Sequence, residues 1–493
     1  ATKLPLGILK RCAKLRVIGR AGVGTDNIDI PAATEMGIAI INAPAGNTIA
    51  VAELFFGALI GLVRHVPQAA RSMREGRWDR SDLLGTELRG RCLAIVGLGR
   101  IGSEVALRAR AFGMNISAYD PYVTDERFDL LRVTRAKTLP DLLRGADVVT
   151  IHTPLTPETR GLIGRDELAL LHRNAIVANL ARGGIVDENA IADAVESHQI
   201  GGAILDVFSE EPLPAGSKLR SLDNVVLTPH LGASTAEGQR NVAVDVCAAV
   251  RDALMSGELS RAINVVGGID GQWEEIRPAI VLVRRMAAIG RAILADRGAR
   301  AVDAVQLRVG RELSDAGNLL IASAAAGALD AVTDGIKLNL VNSRSLAENR
   351  GIALSVTTAG AHDPDNGAQV TIRSDGHEIL VAGVAAPGAG PRVTRIGNFI
   401  VDVTPRRTLL VLTNSDVPGV IGRVGTLLGD AGVNIAEYHQ ARLSEGGEAL
   451  AAVSVDGVID SAVRARLLSL PDITSATVVP LAELDPGGEQ AWS

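Results

Sequence analysis

Aromatic residues make up only 2% of this 493-residue chain, with 3 Trp, 3 Tyr and 6 Phe. Its cores must therefore be built from Ala, Val, Leu and Ile, and a hydrophobic content of 47% supplies them. Cysteine is scarce too. Cys12, Cys92 and Cys247 are odd in number and far apart, which argues against a disulfide framework and fits a reduced, cytoplasmic setting. Long apolar runs are missing: the longest, Leu54 to Val63, is too short to span a bilayer and contains Gly57 and Gly61. No secretory signal is visible. An excess of positive charge is also missing. The net charge is −6, without a long basic run, so no nucleic-acid partner is expected. What remains is a large aliphatic protein of about three domains, with neither membrane nor nucleic acid as a partner.

The most informative feature present is Gly97-Leu98-Gly99-Arg100-Ile101-Gly102, with Asp120 eighteen residues further on. It follows the apolar run Cys92–Val96 and opens into a helix-like stretch, Ser103 to Phe112. A glycine turn that binds nothing is the bland reading; strand, turn, helix and acid all agree against it. Gly97 allows the tight turn, Gly99 lets a pyrophosphate approach the backbone, and Gly102 lets helix pack close to strand. The helix N-terminus offers free N–H groups to phosphates. Asp120, at the end of the next strand pattern, suits the adenine-ribose hydroxyls and favours NAD over NADP.

Apolar strands alternate with helices from Arg91 to Thr228, which predicts a doubly wound parallel sheet covered on both faces. The expected strands are 93–96, 115–119, 148–152, 175–179, 202–205 and 225–227. Before them, residues 14 to 42 read as strand, turn, helix and strand, and residues 46 to 75 as one long helix. A second long helix spans 233 to 256. After it, 264 to 268 looks like a linker, and residues 273 to 400 mix helices (275–295, 316–330) with alternating strands (305–309, 369–372, 379–384) and contain a Pro/Gly-rich turn at 386–391. From Thr408 the pattern is βαββαβ, a ferredoxin-like arrangement.

Three motifs follow strands of the parallel sheet, where ligands of such sheets bind. Ala181-Arg182-Gly183-Gly184 places an arginine fork suited to a carboxylate. Asp206-Val207-Phe208-Ser209-Glu210-Glu211-Pro212 places acids after the next strand. Pro229-His230-Leu231-Gly232 places a histidine after the last. Each residue alone has a structural reading: a surface arginine, solvated glutamates, a core histidine. Their common position at strand ends makes them converge.

Together these motifs resemble the D-2-hydroxyacid dehydrogenase family. The Pro229–Thr235 motif, with Gly19-Arg20-Ala21-Gly22-Val23-Gly24 and Gly85-Thr86-Glu87-Leu88, resembles the branch that oxidises D-3-phosphoglycerate to 3-phosphohydroxypyruvate. Residues 273–400 look like the intervening α+β domain of its long form. Residues 408–480 look like an ACT domain, with Asp416-Val417-Pro418-Gly419 and Gly432-Val433-Asn434-Ile435. The resemblance implies a Rossmann-type NAD-binding domain at 46–230. It implies a flavodoxin-like substrate domain, truncated here, from 1–45 and 231–258. An intervening domain at 265–400 and an ACT domain at 408–480 complete the expected organisation.

By the same resemblance the catalytic trio falls on Arg182, Glu211 and His230. His230 is the base, Glu211 fixes its tautomer, and Arg182 orients the substrate. NAD contacts fall on Gly97, Gly99, Arg100, Ile101, Gly102, Asp120, Thr153, Ala181, Asp206 and Gly232. Substrate contacts fall on Arg20, Gly22, Val23 and Gly24. L-serine is the implied effector, at Asn414, Asp416 and Asn434 of an interface between ACT domains. No metal is called for, and a homo-oligomer, dimer or tetramer, is implied.

Two other functions stay in view: a different D-2-hydroxyacid dehydrogenase or hydroxypyruvate reductase, and a non-catalytic NAD-binding scaffold. The resemblance also places the first strands of the substrate domain before Ala1, about fifty residues by usual domain size. The chain as it stands is then expected to bind NAD yet turn over phosphoglycerate poorly.

Overall fold

The structure is a computed structural model, described over residues 2–265, 273–330, 338–360, 364–386 and 390–481. It divides into two compact units. One comprises Ala21–Val23 and Ala43–Asp245; the other comprises Ala1–Arg20, Gly24–Asn42 and Val246–Ser493.

The first unit is organised by a seven-stranded parallel sheet. Its strands run in the order Thr134–Arg135, Asn115–Tyr119, Cys92–Val96, Val148–Ile151, Ile176–Asn179, Gly202–Leu205 and Val225–Leu227. Chain order reverses between Cys92–Val96 and Val148–Ile151, the switch point where doubly wound sheets open a crevice. The strands are apolar throughout because both faces are covered. Leu93 and Ile95 pack with Phe55, Leu59 and Val105 on one side, whereas Ala94 and Val96 pack with Leu142, Leu143 and Ile191 on the other. The edge pair Thr134–Arg135 has no counterpart in the expected strands; at two exposed residues it carries no hydrophobic pattern to read.

The long helix expected over 46–75 is instead two helices, Thr48–Val63 and Val66–Arg74. His65 between them is left-handed at φ 54°. Pro67 has no N–H for the carbonyl of Val63 and would clash with it in a continuous helix; that carbonyl accepts from Thr86 N at 3.0 Å. No single helix among the described residues is long and apolar enough to cross a membrane.

The second unit contains three assemblies. Val17–Arg20 and Ala39–Asn42 form a two-stranded parallel sheet joined by helix Ile30–Glu35, whose first turn is capped by the Asp29 carboxylate on Ala32 N at 3.1 Å. Asn264, expected in a linker, fastens this piece instead: its Oδ1 accepts from Ile40 N at 2.9 Å and its Nδ2 donates to Ile38 O at 2.9 Å. The remainder of that linker, 266–268, and residues 387–389 of the expected turn lie outside the described residues.

Next comes a six-stranded mixed sheet, ordered Ala353–Thr358, Ala304–Val309, Gly367–Ser374, His377–Ala386, Gly390–Ile396 and Phe399–Val403. Helices Trp273–Asp296 and Gly317–Leu329 cover it through Leu282, Met286, Leu320 and Ala324. Three of its strands, Ala353–Thr358, Gly390–Ile396 and Phe399–Val403, were not among those expected. The first is largely exposed and carries no clean alternation.

The last assembly is a four-stranded antiparallel sheet ordered Ile435–Arg442, Glu448–Val455, Thr408–Ser415 and Ile473–Pro480, with helices Val420–Asp430 and Ser461–Leu468. This is the βαββαβ arrangement expected of it. Leu410, Leu412, Val453 and Leu428 form its own core, while Leu409, Val411 and Leu450 on the opposite face join the core of the six-stranded sheet.

Candidate active site

The fingerprint loop is shaped by its glycines. Gly97 sits at φ 92° and donates its N–H to Tyr119 O at 3.0 Å. A Cβ at Gly102 would lie 2.1 Å from the Gly97 carbonyl oxygen, so helix Arg100–Ala111 approaches the turn too closely for any side chain there. A Cβ at Gly99 would meet nothing within 4 Å. Glycine at 102 therefore serves the protein's own packing, and glycine at 99 leaves open space beside the helix N-terminus formed by Arg100 and Ile101. The Asp120 carboxylate braces this loop, accepting from Leu98 N at 2.8 Å and Tyr122 N at 2.9 Å. Each oxygen keeps a further lone pair.

Thr153 follows strand Val148–Ile151 beside Gly97, where a Cβ would meet Thr153 Cγ2 at 2.8 Å. Its hydroxyl is buried and has no partner among the described residues. An orphan hydroxyl, an open position at Gly99, a helix N-terminus and an acid with free lone pairs are what an adenine dinucleotide needs. The residues present fit NAD.

Next to Thr153, burial alone pushes the His152 imidazole down to about 3. Its Nε2 lies 2.9 Å from Thr150 Oγ1, and its ring meets Phe55 edge-on at 6.3 Å. The folded-state value lies below the unfolded one, so the unfolded chain binds the extra proton. This contribution to stability is complete above about pH 6.5 and is lost as pH falls toward 3, at up to about 1.4 kcal/mol per pH unit. Between pH 6.5 and 4 the Tm of His152→Phe is expected to fall less steeply than that of the parent protein. Parallel slopes in calorimetry would contradict this.

Three turns gather at the carboxyl ends of the last three strands. After Ile176–Asn179, the buried Asn179 amide spans the turn: Oδ1 accepts from Ala181 N at 3.1 Å and Nδ2 donates to Arg182 O at 2.9 Å. Arg182 Nη1 donates to Ala181 O at 2.7 Å. A Cβ at Gly183 would lie 2.0 Å from Phe208 O, so this turn rests directly on the backbone of the next. Glu188 adds a second tie by accepting from Ser209 N.

After Gly202–Leu205, Asp206 is fully buried. Its Oδ1 accepts from Leu231 N at 2.7 Å and from the Thr228 hydroxyl, its Oδ2 from Gly232 N at 2.9 Å, and its carbonyl from His230 N at 2.9 Å. Asp206 thus holds the turn in which His230 adopts φ 56°. Glu211 accepts from Phe208 N at 3.1 Å, and its Oε2 lies 2.9 Å from His230 Nδ1. Glu211 and His230 form a hydrogen-bonded pair, and the Arg182 turn packs on the loop that carries Glu211.

Reading the sequence missed Asn179, Thr228 and Glu188, which shape these turns. The local signal was a polar residue at or just after the strand end for Asn179 and Thr228, and an acid opening the next helix for Glu188.

Arg20 ends the strand Val17–Arg20, and Gly22 O accepts from Ala43 N at 3.1 Å. The division between units runs through this segment: Arg20 and Gly24 belong to one, Gly22 and Val23 to the other. Asn414, Asp416 and Asn434 are not brought together within one chain. Asn414 pairs with Ala449 near one end of strand Glu448–Val455, whereas Asn434 precedes Ile435, which pairs with Val455 at the other. Asp416 binds Arg442 at 3.2 Å, and Asn434 donates to Asp456 at 2.6 Å.

Residues 56–232 match the D-isomer specific 2-hydroxyacid dehydrogenase NAD-binding domain, and residues 407–472 match the ACT domain. The chain is 38% identical over 485 residues to D-3-phosphoglycerate dehydrogenase of Synechocystis, covering 98% of this chain and 86% of that one. It is 37% identical over 480 residues to the enzyme of that name from Methanocaldococcus jannaschii, covering 97% and 90%. With the Bacillus subtilis enzyme of that name the figure is 37% over 483 residues, covering 98% and 91%.

Proposed function

The chain belongs to the D-3-phosphoglycerate dehydrogenase family, and from that premise we propose that it oxidises D-3-phosphoglycerate to 3-phosphohydroxypyruvate with NAD. The observation that carries the proposal is the Glu211–His230 pair at the strand ends of the dinucleotide-binding sheet. Bound NAD supplies the acceptor for the hydride leaving C2. His230 takes the hydroxyl proton at Nε2 while Nδ1 stays on Glu211, which fixes the tautomer and stabilises the protonated ring. Arg182 holds the substrate carboxylate and favours the developing carbonyl oxygen. Asp120 and Thr153 anchor the adenosine side and the middle of the cofactor, and Asp206 presents its loop, with Ala181 and Gly232, to the nicotinamide side. Gly22 and Val23 contribute backbone donors for the anionic groups of the substrate.

The test is NADH absorbance with a panel of D-2-hydroxy acids. The highest kcat/KM is expected with 3-phosphoglycerate. A preference for glycerate or lactate would move the reading to another dehydrogenase of the wider family, and no turnover with any would favour the non-catalytic scaffold.

The same reading takes the protein as a cytoplasmic homo-oligomer with L-serine as feedback effector. Trp78, Leu84 and Met73 support self-association, since they are 76%, 89% and 57% exposed within one short stretch. Large aromatic side chains left in water are typical anchors of interfaces. Trp78→Ala is expected to lower the sedimenting mass toward that of a single chain; an unchanged mass would place the interface elsewhere. For serine, the separation of Asn434 from Asn414 within one chain means that a site containing both needs two copies.

A further inference from the structure

The strands Val17–Arg20 and Ala39–Asn42 lead by the chain itself into the segment that holds Gly22 and Val23. Arg20 pairs with Asn42 in register, and just beyond them Ala43 N donates to Gly22 O at 3.1 Å. The placement of Ala39–Asn42 therefore bears on the placement of the substrate donors. Two strands alone make a marginal sheet, so this pair depends on what packs against it. Ala39 and Ile41 are fully buried, in one core with Ala249, Trp273, Leu319 and Val341. Leu319 belongs to Gly317–Leu329, a helix that covers the six-stranded sheet.

A buried polar contact lies beside that core. Asn339 and Asn342 are 4% and 2% exposed. Asn339 Nδ2 donates to Gly37 O at 2.8 Å, across 302 positions of sequence. Its Oδ1 accepts from Val341 N at 2.9 Å and Asn342 N at 3.3 Å, and Asn342 Oδ1 accepts from Asn339 N at 3.0 Å. One end of the amide is thus fixed by its own turn, and the other grips a distant segment. Ser343 ties the same turn to helix Gly317–Leu329, its hydroxyl donating to Ala322 O at 2.7 Å. Gly37 permits the contact because it has no side chain: at φ 69° its Cβ would lie 2.7 Å from Asn339 Nδ2 and 2.9 Å from Asn342 Nδ2. A buried carbonyl that loses its donor is costly, so the contact resists opening.

We propose that Asn339 is a positioning residue for the substrate: its amide latches the strand pair to the turn at 339–343 and so sets Gly22 and Val23 for the anionic groups they meet. The inference rests on the dehydrogenase reading for the identity of that substrate. Opening the latch loosens Ala39–Asn42 and displaces donors used alike by the bound substrate and the transition state, so KM rises more than kcat falls. The dinucleotide turn Gly97–Gly102 belongs to the other compact unit and keeps its shape.

Asn339→Asp tests this. The carboxylate keeps an acceptor for the N–H groups of Val341 and Asn342 but sets an oxygen against the Gly37 carbonyl where a donor stood. KM for 3-phosphoglycerate is expected to rise about tenfold to a hundredfold, with a smaller change in kcat and an unchanged dissociation constant for NADH. Gly37→Ala crowds the contact from the other side while keeping both amides, and is expected to act in the same direction. The double variant is expected to be no worse than the more affected single one, since both open one contact. Hydrogen exchange reads the latch without activity: in both variants peptides covering 17–24 and 36–43 are expected to exchange faster, and 92–102 as in the parent. The proposal is overturned by parent-like exchange at 36–43, by a lowered Tm with KM unchanged, or by NADH affinity that falls in step with kcat/KM, which would mean general disruption. If Asn339→Asp does not fold, Gly37→Ala decides by the same readouts. If the parent oxidises no hydroxy acid, exchange decides alone: faster exchange confined to 17–24 and 36–43 upholds the latch while the dehydrogenase reading fails, and parent-like exchange overturns it.

Discussion

His230→Gln is expected to lower kcat by about 10²–10⁴-fold, the range typical of a general base removed from a proton transfer. NADH affinity, followed by fluorescence, is expected to change little, because the dinucleotide loop is built by Gly97–Gly102 and Asp120 and owes nothing to the imidazole. Glu211→Gln is expected to cost less, since the amide keeps a hydrogen-bonding atom opposite Nδ1 but loses the charge that stabilises the protonated ring. The double variant is the decisive measurement. Glu211 acts through His230 in this geometry, so the two losses are not additive and the double variant falls no further than His230→Gln alone. Two losses that multiply would mean that Glu211 has a separate role.

The second large effect separates two glycines of one motif. Gly102→Ala places a Cβ 2.1 Å from the Gly97 carbonyl oxygen, which is backbone and has to move. Overpacking of this kind costs about 1–3 kcal/mol, and the displaced loop loses NAD affinity as well, so Tm and binding fall together. Gly99→Ala meets nothing of the protein within 4 Å, and Gly99 has a negative φ of −72°. Its Tm is expected to stay at the parent value while the dissociation constant for NADH rises, because the methyl group occupies the space left for the pyrophosphate. A Gly99→Ala protein that loses Tm, or keeps full NADH affinity, would refute this division of labour.

The fingerprint made this contrast legible only in part. From sequence, Gly97, Gly99 and Gly102 carried three roles by motif. The closeness of helix to turn that forbids a side chain at 102 is a tertiary distance. The strand ends behaved in the same way. Continuous apolar runs flanked by glycine located nearly every strand of the parallel sheet, since a strand covered on both faces leaves a mark in every residue. Arg182, Glu211 and His230 were legible because each follows such a strand. Asn179, Thr228 and Glu188 were not, because their work is to hold a neighbouring turn, and the partner of each hydrogen bond is set by the folded chain.

Elsewhere the local pattern misled or fell silent. The apolar periodicity of 46–75 continues past Arg64, but Pro67 divides the helix there. Asn264 looked like linker and is a clamp on Ile38 and Ile40, more than two hundred residues away. Strand Ala353–Thr358 is so exposed that only its pairing with Ala304–Val309 defines it.

By itself, then, the sequence determined the aliphatic core, the order of strands and helices, the dinucleotide turn and the three motifs that end strands, because each is written in residues close together along the chain. The tertiary structure alone decided that Asp206 pins the left-handed turn of His230, that Asn414 and Asn434 stand at opposite ends of one strand, and that the buried amide of Asn339 meets the carbonyl of Gly37. Those are meetings of distant segments, and their distances follow from strand register and close packing, which no local pattern encodes.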